Sequence, residues 1–306
     1  MAAERGKIFK KASAEMTTRE QLSVVIAAFN AAGTLRDSVE SAKTVANTII
    51  VVDDGSTDNT ADVARSMGVH LISQVNAGAA FARAVGADHV STRYLSFLDA
   101  DDLLVEEGVN CSISSLEDET GLGVCAGQVS VKGATHSTVI PHGFEKVDTA
   151  KLVGVGYSPW PPAAAIIRTS AYKAARELPL PELHTRFAED YEMLIRLSMV
   201  SRISSHDEVS CAYQVQGGKS ARNTERVVEC KERIRSYYGS YNDFRWSPLT
   251  TREIRSVIAA RTGHAALRNE NYCRALVDFM IATVNRPSLI SDAVARRMKS
   301  LPRSKK

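Results

Sequence analysis

The chain has 306 residues, 44% of them hydrophobic and 24% charged, with a formal net charge of +3. Such a length suits one large domain, or a main domain with a smaller appendage, and can bury a sizeable core. The charge is too small to imply nucleic-acid binding, and no run approaches the roughly 18 apolar residues that a membrane span needs.

Residues 1–20 are polar, lack the apolar stretch of a secretory signal, and are expected to form a flexible leader. "LSVVIAAF" (22–29) is a continuous apolar run of strand length, the pattern of a strand buried on both faces. A helix is predicted over 34–45. "TIIVVDD" (48–54) predicts a second buried strand, stopped by the turn chemistry of "GSTDNT", in which Asp58 can cap a helix over 59–66. A short strand over 70–73, a helix over 77–88 and a strand over 94–98 continue the alternation. Strands and helices in turn, with short connections, imply a doubly wound, mainly parallel sheet with a Rossmann-like nucleotide-binding core.

Beyond Leu104 the rhythm changes. A helix over 106–116 precedes "GLGVCAGQVSVKG", which predicts a strand, and then the Gly/Pro/aromatic stretch "GVGYSPWPPAAAIIR". Tyr191, Leu194, Ile195 and Leu197 fit a helix over 189–200. From Asn223 the chain is expected to be helical. Ile254, Val257, Ile258 and then Ala275, Leu276, Phe279, Met280 recur at helical spacing, and Pro287 stops the second helix of the hairpin. The expected layout is therefore a leader over 1–20, a catalytic domain over 21–220 and a helical C-terminal extension over 221–306. The five cysteines (Cys111, Cys125, Cys211, Cys230, Cys273) are scattered, with no C-x-x-C pair. They argue against a disulfide framework or zinc knuckle and suit a reducing, cytoplasmic setting. Residues 297–306 carry a basic excess, the pattern of a solvated tail; adhesion to the inner face of an anionic membrane is the alternative.

Ligands of open α/β sheets bind beyond the carboxyl ends of the strands. This sequence puts its polar groups there: "AAFN" after the first strand, "DDGS" after the second, "DADD" after the fourth. One acid at a strand end is ordinarily a cap; three polar ends among the first four strands form a pattern. Asp99, Asp101 and Asp102 repel one another and need a counter-charge from water, Lys or Arg, or a metal ion. A dinucleotide-binding loop is excluded, since "AAFNAAGT" lacks G-x-G-x-x-G. An aspartyl-nucleophile phosphatase would need D-x-D after the first strand, which ends in Phe29-Asn30 instead.

Together "SVVIAAFNAAGTLRDSVES", "IIVVDDGSTDNTADVA", "NAGAAFARAVGA", "YLSFLDADDLL" and "FAEDYEMLIRLS" resemble the inverting family 2 glycosyltransferases of the GT-A fold, over roughly residues 22–215. The resemblance implies a nucleotide-sugar donor, with a UDP-sugar expected, and a glycan, lipid-linked saccharide or related acceptor. It places the base against the backbone of Ala27 and Ala28, the face of Phe29 and the acceptor Asp54. Members often have Pro and Tyr where this chain has Ala28 and Phe29. Asn76, Gly78 and Arg83 match a region that meets the diphosphate. Asp99 would hold the ribose hydroxyls, with Ala100 beside it. Asp101 would carry Mn²⁺ or Mg²⁺, and Asp102 would cap the next segment. In the E-D pair Asp190 would be the general base and Glu189 would help place the acceptor. Trp160 is a candidate for stacking on a sugar, against a packing role, and Lys219, Ser220 and Arg222 in "QGGKSAR" for a closing loop. His206 is a lone histidine with no assigned role. Two rivals are a catalytically silent, nucleotide-sugar-binding partner subunit and a sugar nucleotidyltransferase. The acids of both motifs speak against the first, and the uncharged loop after the first strand against the second.

Overall fold

A computed structural model of the protein describes residues 17–132, 137–140, 147–214, 223–241, 246–268 and 271–286. The leader to residue 16, "QGGKSAR" with its closing-loop candidates, and the tail from Pro287 lie outside the described residues. The chain divides into two compact units. The first comprises residues 1–151, 158–184 and 192–215; the second comprises 152–157, 185–191 and 216–306. Two short segments inside the expected catalytic domain thus group with the helical extension, a division that a single boundary near residue 220 does not capture.

The first unit begins with a helical turn α1 (Thr18–Gln21), whose N-terminus is closed by reciprocal bonds between Thr17 and Glu20. β1 (Leu22–Ala28), α2 (Leu35–Val45), β2 (Thr48–Asp53), α3 (Thr60–Ser66), β3 (His70–Ser73), α4 (Ala79–Asp88) and β4 (Tyr94–Asp99) follow in strict alternation. β1 lies parallel between β2 and β4, and β3 adds parallel to β2. Helices cover both faces, so Leu22, Val24, Val25, Ile26, Leu95, Phe97 and Leu98 are all fully buried. That double burial is why these strands are continuous apolar runs rather than alternating ones. α2 meets the sheet through Leu35, Val39, Ala42 and Val45. α4 approaches it at Gly86, where a Cβ would come within 2.4 Å of Val25 Cγ1, so only glycine permits this contact.

Beyond β4 come β5 (Leu103–Leu104), α5 (Glu106–Asp118), β6 (Leu122–Lys132), β7 (Ser137–Ile140), α6 (Thr149–Val155), β8 (Ala165–Arg168), α7 (Thr169–Arg176), α8 (Glu189–Val200) and β9 (Arg202–Gln214). The nine-stranded sheet runs β3-β2-β1-β4-β8-β6-β9-β5, with β7 paired to β6. β8 is antiparallel to both β4 and β6, whereas β6 and β9 pair in parallel. Arginine side chains fasten helix ends here. Arg168 donates to the carbonyls of Leu116 and Leu122, at and just after the end of α5. Arg196, 3% exposed, donates to Ala175 O in the last turn of α7 and to Leu180 O beyond it. Both place a cation where terminal carbonyls lack intrahelical donors.

The second unit contains α9 (Thr224–Tyr241), α10 (Thr251–Arg268) and α11 (Tyr272–Asn285). The last two form the expected hairpin, tied by Ser256 Oγ donating to Ala282 O at 2.7 Å.

Candidate active site

Three loops at the carboxyl ends of β1, β2 and β4 gather the polar residues of the first unit. After Ala28 the chain turns at Asn30, whose φ of 51° is the left-handed conformation that asparagine tolerates. The turn aims the next backbone amides at the loop beyond β2. Asn30 N donates to Ser56 Oγ at 2.9 Å, Ala31 N to Thr60 Oγ1 at 2.8 Å and Ala32 N to Asp58 Oδ2 at 3.1 Å. In return Asn30 Oδ1 accepts from Thr57 N at 2.8 Å. Asp58 also accepts from Thr60 N and from the Thr60 hydroxyl, while the residue in the cap position of α3 is Asn59, not Asp58 as expected. These bonds, the hydroxyl's first, hold the Asp58 carboxyl below its usual range. The serine and threonines after "DDG" are therefore the clasp between two loops. Phe29, beside the clasp, keeps 36% of its surface exposed, which leaves ring area for a stacking partner.

Asp54 is 3% exposed and faces inward. Its carboxylate accepts from Gln74 Nε2, Ala77 N and Gly78 N, each at 2.8 Å, while Asn76 Nδ2 donates to its carbonyl at 2.9 Å. So Asp54, Asn76 and Gly78 do meet, but to shape the loop that opens α4. A base N–H would be a fourth donor on an already well-occupied carboxylate. Gly55 completes this turn at φ +72°, and a Cβ there would fall 2.8 Å from Asn76 N. Gln74 is a member of the site that sequence reasoning missed, because a lone glutamine after a short strand carries no motif.

Arg83 is buried, and its Nη2 donates to Asp99 Oδ1 at 2.6 Å, whereas 36% of the Asp99 side chain stays exposed. The structure thus gives Arg83 to the acid expected on the ribose rather than displaying its fork to a diphosphate. Ala100 is buried and Asp101 is exposed in the turn between β4 and β5. Asp102 is 1% exposed and leads into β5; the helix beyond starts at Glu106, so Asp102 is not its cap. Burial, then the charges of Asp102 and Asp99, push the Cys211 thiol well above its ordinary value. Among the described residues no group of three or more His, Cys, Asp or Glu is arranged to hold a metal ion. A cation at Asp101 would complete its shell from phosphate and water oxygens, the mixed oxygen set that suits Mg²⁺ or Mn²⁺. The exposed carboxylate fits that chemistry.

Two other candidates have packing partners. His206 Nε2 meets Ser112 Oγ at 2.7 Å between β9 and α5. Trp160 is 5% exposed, which fits the packing role rather than a stacking platform.

In the second unit Glu189 and Asp190 are half-buried in the first turn of α8, where the helix dipole favours acids. Ala188, just before them, has φ 63°, a conformation that costs alanine about 1–2 kcal/mol. Tyr191 is fully buried, its hydroxyl donating to Leu152 O at 2.8 Å, and the Lys231 ammonium lies 5.9 Å over its ring. Arg235 donates to Val153 O at 2.7 Å and pairs with Glu232 at 2.6 Å, pinning α9 to the end of α6. Lys231 and Arg261 both feel the charge of Asp190. Burial lowers the Lys231 ammonium to about 8, an effect that Asp190 opposes and Arg261 reinforces. Neither cation stands out in the sequence, since a basic residue on a helix ordinarily marks a solvated face.

Residues 23–174 match the family described as Glycosyl transferase family 2. An uncharacterized glycosyltransferase, YibD, of Escherichia coli K12 is 34% identical over 119 residues, covering 36% of this chain and 35% of that protein. The Escherichia coli UDP-Glc:alpha-D-GlcNAc-diphosphoundecaprenol beta-1,3-glucosyltransferase WfaP is 36% identical over 107 residues, covering 33% of this chain and 43% of its own. The chain therefore spans less than half the length of these relatives. Among solved structures, S. aureus TarS 1-349 in complex with UDP-GlcNAc aligns with TM-score 0.56 at 18% identity, covering 86% of this chain and 81% of that one. The mannosyltransferase PcManGT from Pyrobaculum calidifontis, in complex with GDP-Man and Mn²⁺, aligns with TM-score 0.55 at 16% identity, covering 97% and 87%. The fold is GT-A, with a helical C-terminal part.

Proposed function

We propose that this chain, which carries a Glycosyl transferase family 2 domain over residues 23–174, transfers a sugar from a UDP-sugar to a hydroxyl of a glycan or lipid-linked saccharide with inversion. The observation that carries the proposal is the clasped pair of loops after β1 and β2, next in the sheet to the Arg83–Asp99 pair. Rigid backbone beside an exposed aromatic suits a planar base, and an acid held by an arginine suits a ribose diol. TarS in complex with UDP-GlcNAc, and WfaP with its UDP-Glc donor and alpha-D-GlcNAc-diphosphoundecaprenol acceptor, support the donor and acceptor classes.

In this reading Phe29 offers a stacking face and the backbone of Ala27 and Ala28 offers edge contacts. Asp54 and Asn76 fix the loop around Gly78. Arg83 is a positioning residue that holds Asp99 in one rotamer for the ribose. Asp101 would hold Mn²⁺ or Mg²⁺, which when bound supplies charge stabilisation to the departing nucleoside diphosphate. Asp190 accepts the proton of the attacking hydroxyl, and Glu189 helps orient the acceptor. The five free thiols fit a reducing compartment, and no described helix is long and apolar enough to cross a membrane. The test is to incubate the chain with UDP-, GDP- and dTDP-sugars and Mn²⁺ and follow nucleoside-diphosphate release. Release of UDP with cation present, and its loss with EDTA, is expected. Release of pyrophosphate, or of nothing from any donor, would overturn the proposal.

A further inference from the structure

Lys231 of α9 and Arg261 of α10 stand together in the second unit without an acid of their own. Lys231 is half-buried, its ammonium 5.9 Å over the ring of Tyr191, the residue that follows Asp190. Arg261 is half-buried too, near enough to Lys231 and to Asp190 for their charges to act on one another. Neither cation forms an ion pair or a hydrogen bond with a described residue. The carboxylates of α9, α10 and α11 are committed elsewhere or face solvent. Glu232 pairs with Arg235 at 2.6 Å and accepts from Leu249 N at 2.8 Å. Asp278, 3% exposed, is held by Arg274 Nε at 3.0 Å, and Glu253 accepts from Thr250 N and Oγ1 at the start of α10. Glu225 and Glu229 lie exposed on α9.

Withdrawing two like charges from water into one place costs free energy, and burial works against both of these. Packing alone is served as well or better by neutral side chains. The frame around the pair is fixed: Tyr191 is fully buried with its hydroxyl bonded to Leu152 O at 2.8 Å, and Arg235 ties α9 to Val153 O at 2.7 Å. Two cations against one acid leave surplus positive charge beside the proposed base, and an anionic group of the acceptor offsets it. An ammonium offers three donors and a guanidinium a planar fork, and here they come from different helices. A tetrahedral phosphate presents oxygens in both directions, whereas a carboxylate has two oxygens in one plane and suits a single fork.

We propose that Lys231 and Arg261 bind a phosphate group of the acceptor, which sets a neighbouring sugar hydroxyl against Asp190 and selects against neutral saccharides. The inference rests on the transferase reading above and names the class of its acceptor, a phosphorylated saccharide. Full-length chain saturated with UDP and Mg²⁺, which fill the donor site, is titrated by calorimetry with α-D-glucose 1-phosphate, D-glucuronate and D-glucose. The phosphate ester is expected to bind at least tenfold more tightly than either of the others and to be displaced by inorganic phosphate. Lys231→Met and Arg261→Met should each weaken it about tenfold, as loss of a charge-assisted hydrogen bond implies, while UDP affinity stays as in wild type. Lys231→Arg should retain it. Should one Met variant misfold, the other, on a separate helix, carries the same expectation. No binding of the phosphate ester, equal binding of glucuronate, or binding that survives the Met substitutions would each overturn the proposal. UDP release from UDP-sugars is followed on the same preparation. Its absence would strike the transferase reading and the acceptor assignment with it, whereas UDP release without phosphate binding would strike this inference alone.

Discussion

Asp190→Asn keeps the size of the side chain and removes its charge, and the structure makes two separate outcomes expected. As the proposed base, Asp190 contributes on the order of 10²–10⁴-fold in rate, so transfer should fall by that factor while UDP affinity is unchanged. Its charge also acts at longer range on two partly buried cations, Lys231 and Arg261. Losing this longer-range attraction should cost about 1–2 kcal/mol for the two cations together. At about 2–4 °C per kcal/mol, the melting temperature at pH 7 should drop by several degrees. The sign with pH comes from Lys231, whose ammonium lies at about 8 in the folded chain against an ordinary 10.5. Between those values the unfolded chain binds the extra proton, so stability rises with pH across that window. Above about pH 9 Lys231 is neutral in the folded protein and needs no counter-ion, leaving only Arg261 to be balanced. The stability gap between wild type and variant should therefore shrink from pH 7 to pH 9.5, measured by calorimetry. A variant with full transferase activity would refute the catalytic role, and a gap that is the same at both pH values would refute the electrostatic one.

Asp101→Ala should abolish the Mn²⁺ dependence of UDP binding, and equal affinity for wild type with Mn²⁺, wild type with EDTA and the variant would remove the metal from this site. Gly55→Ala sets a Cβ 2.8 Å from Asn76 N at φ +72°; it should destabilise the fold by about 1–3 kcal/mol in urea denaturation and weaken UDP binding. Arg83→Met leaves Asp99 without its 2.6 Å partner; UDP should bind about tenfold more weakly, as loss of one charge-assisted hydrogen bond implies, and calorimetry showing unchanged affinity would count against the positioning role.

Strands β1, β2 and β4 were legible because each is buried on both faces, and a double-sided core leaves an uninterrupted apolar run in the sequence; β3, a short edge strand with no buried residue, followed only from the alternation of strands and helices. Strand ends predicted at 29, 54 and 98 fall at Ala28, Asp53 and Asp99. The second half of the sheet was less so. β9, "RISSHDEVSCAYQ", is largely polar, and its parallel pairing with β6 comes with register shifts that no local pattern announces. β5 has two residues, below the reach of any periodicity, and exists because Leu103 and Leu104 pair with Ala212 and Cys211. Long-range pairing, not propensity, makes these strands.

Site residues divide along the same line. Motif spacing brought out the acids at strand ends, yet it could not say which faces inward. Asp54 and Asp101 look alike in the sequence; one is 3% exposed and accepts from three donors, the other lies exposed in a turn. Arg83 and Lys231 both sit on helices where a solvated face is the ordinary expectation. Burial puts Arg83 into an ion pair with Asp99 at 2.6 Å and Lys231 within the field of Asp190. A nearby cation offsets the cost of partly desolvating a carboxylate. The acids of the two motifs therefore gain from basic groups elsewhere in the fold. The sequence states that need through the acids alone, and only tertiary packing decides that α4 answers it for Asp99 and the C-terminal helices for Asp190.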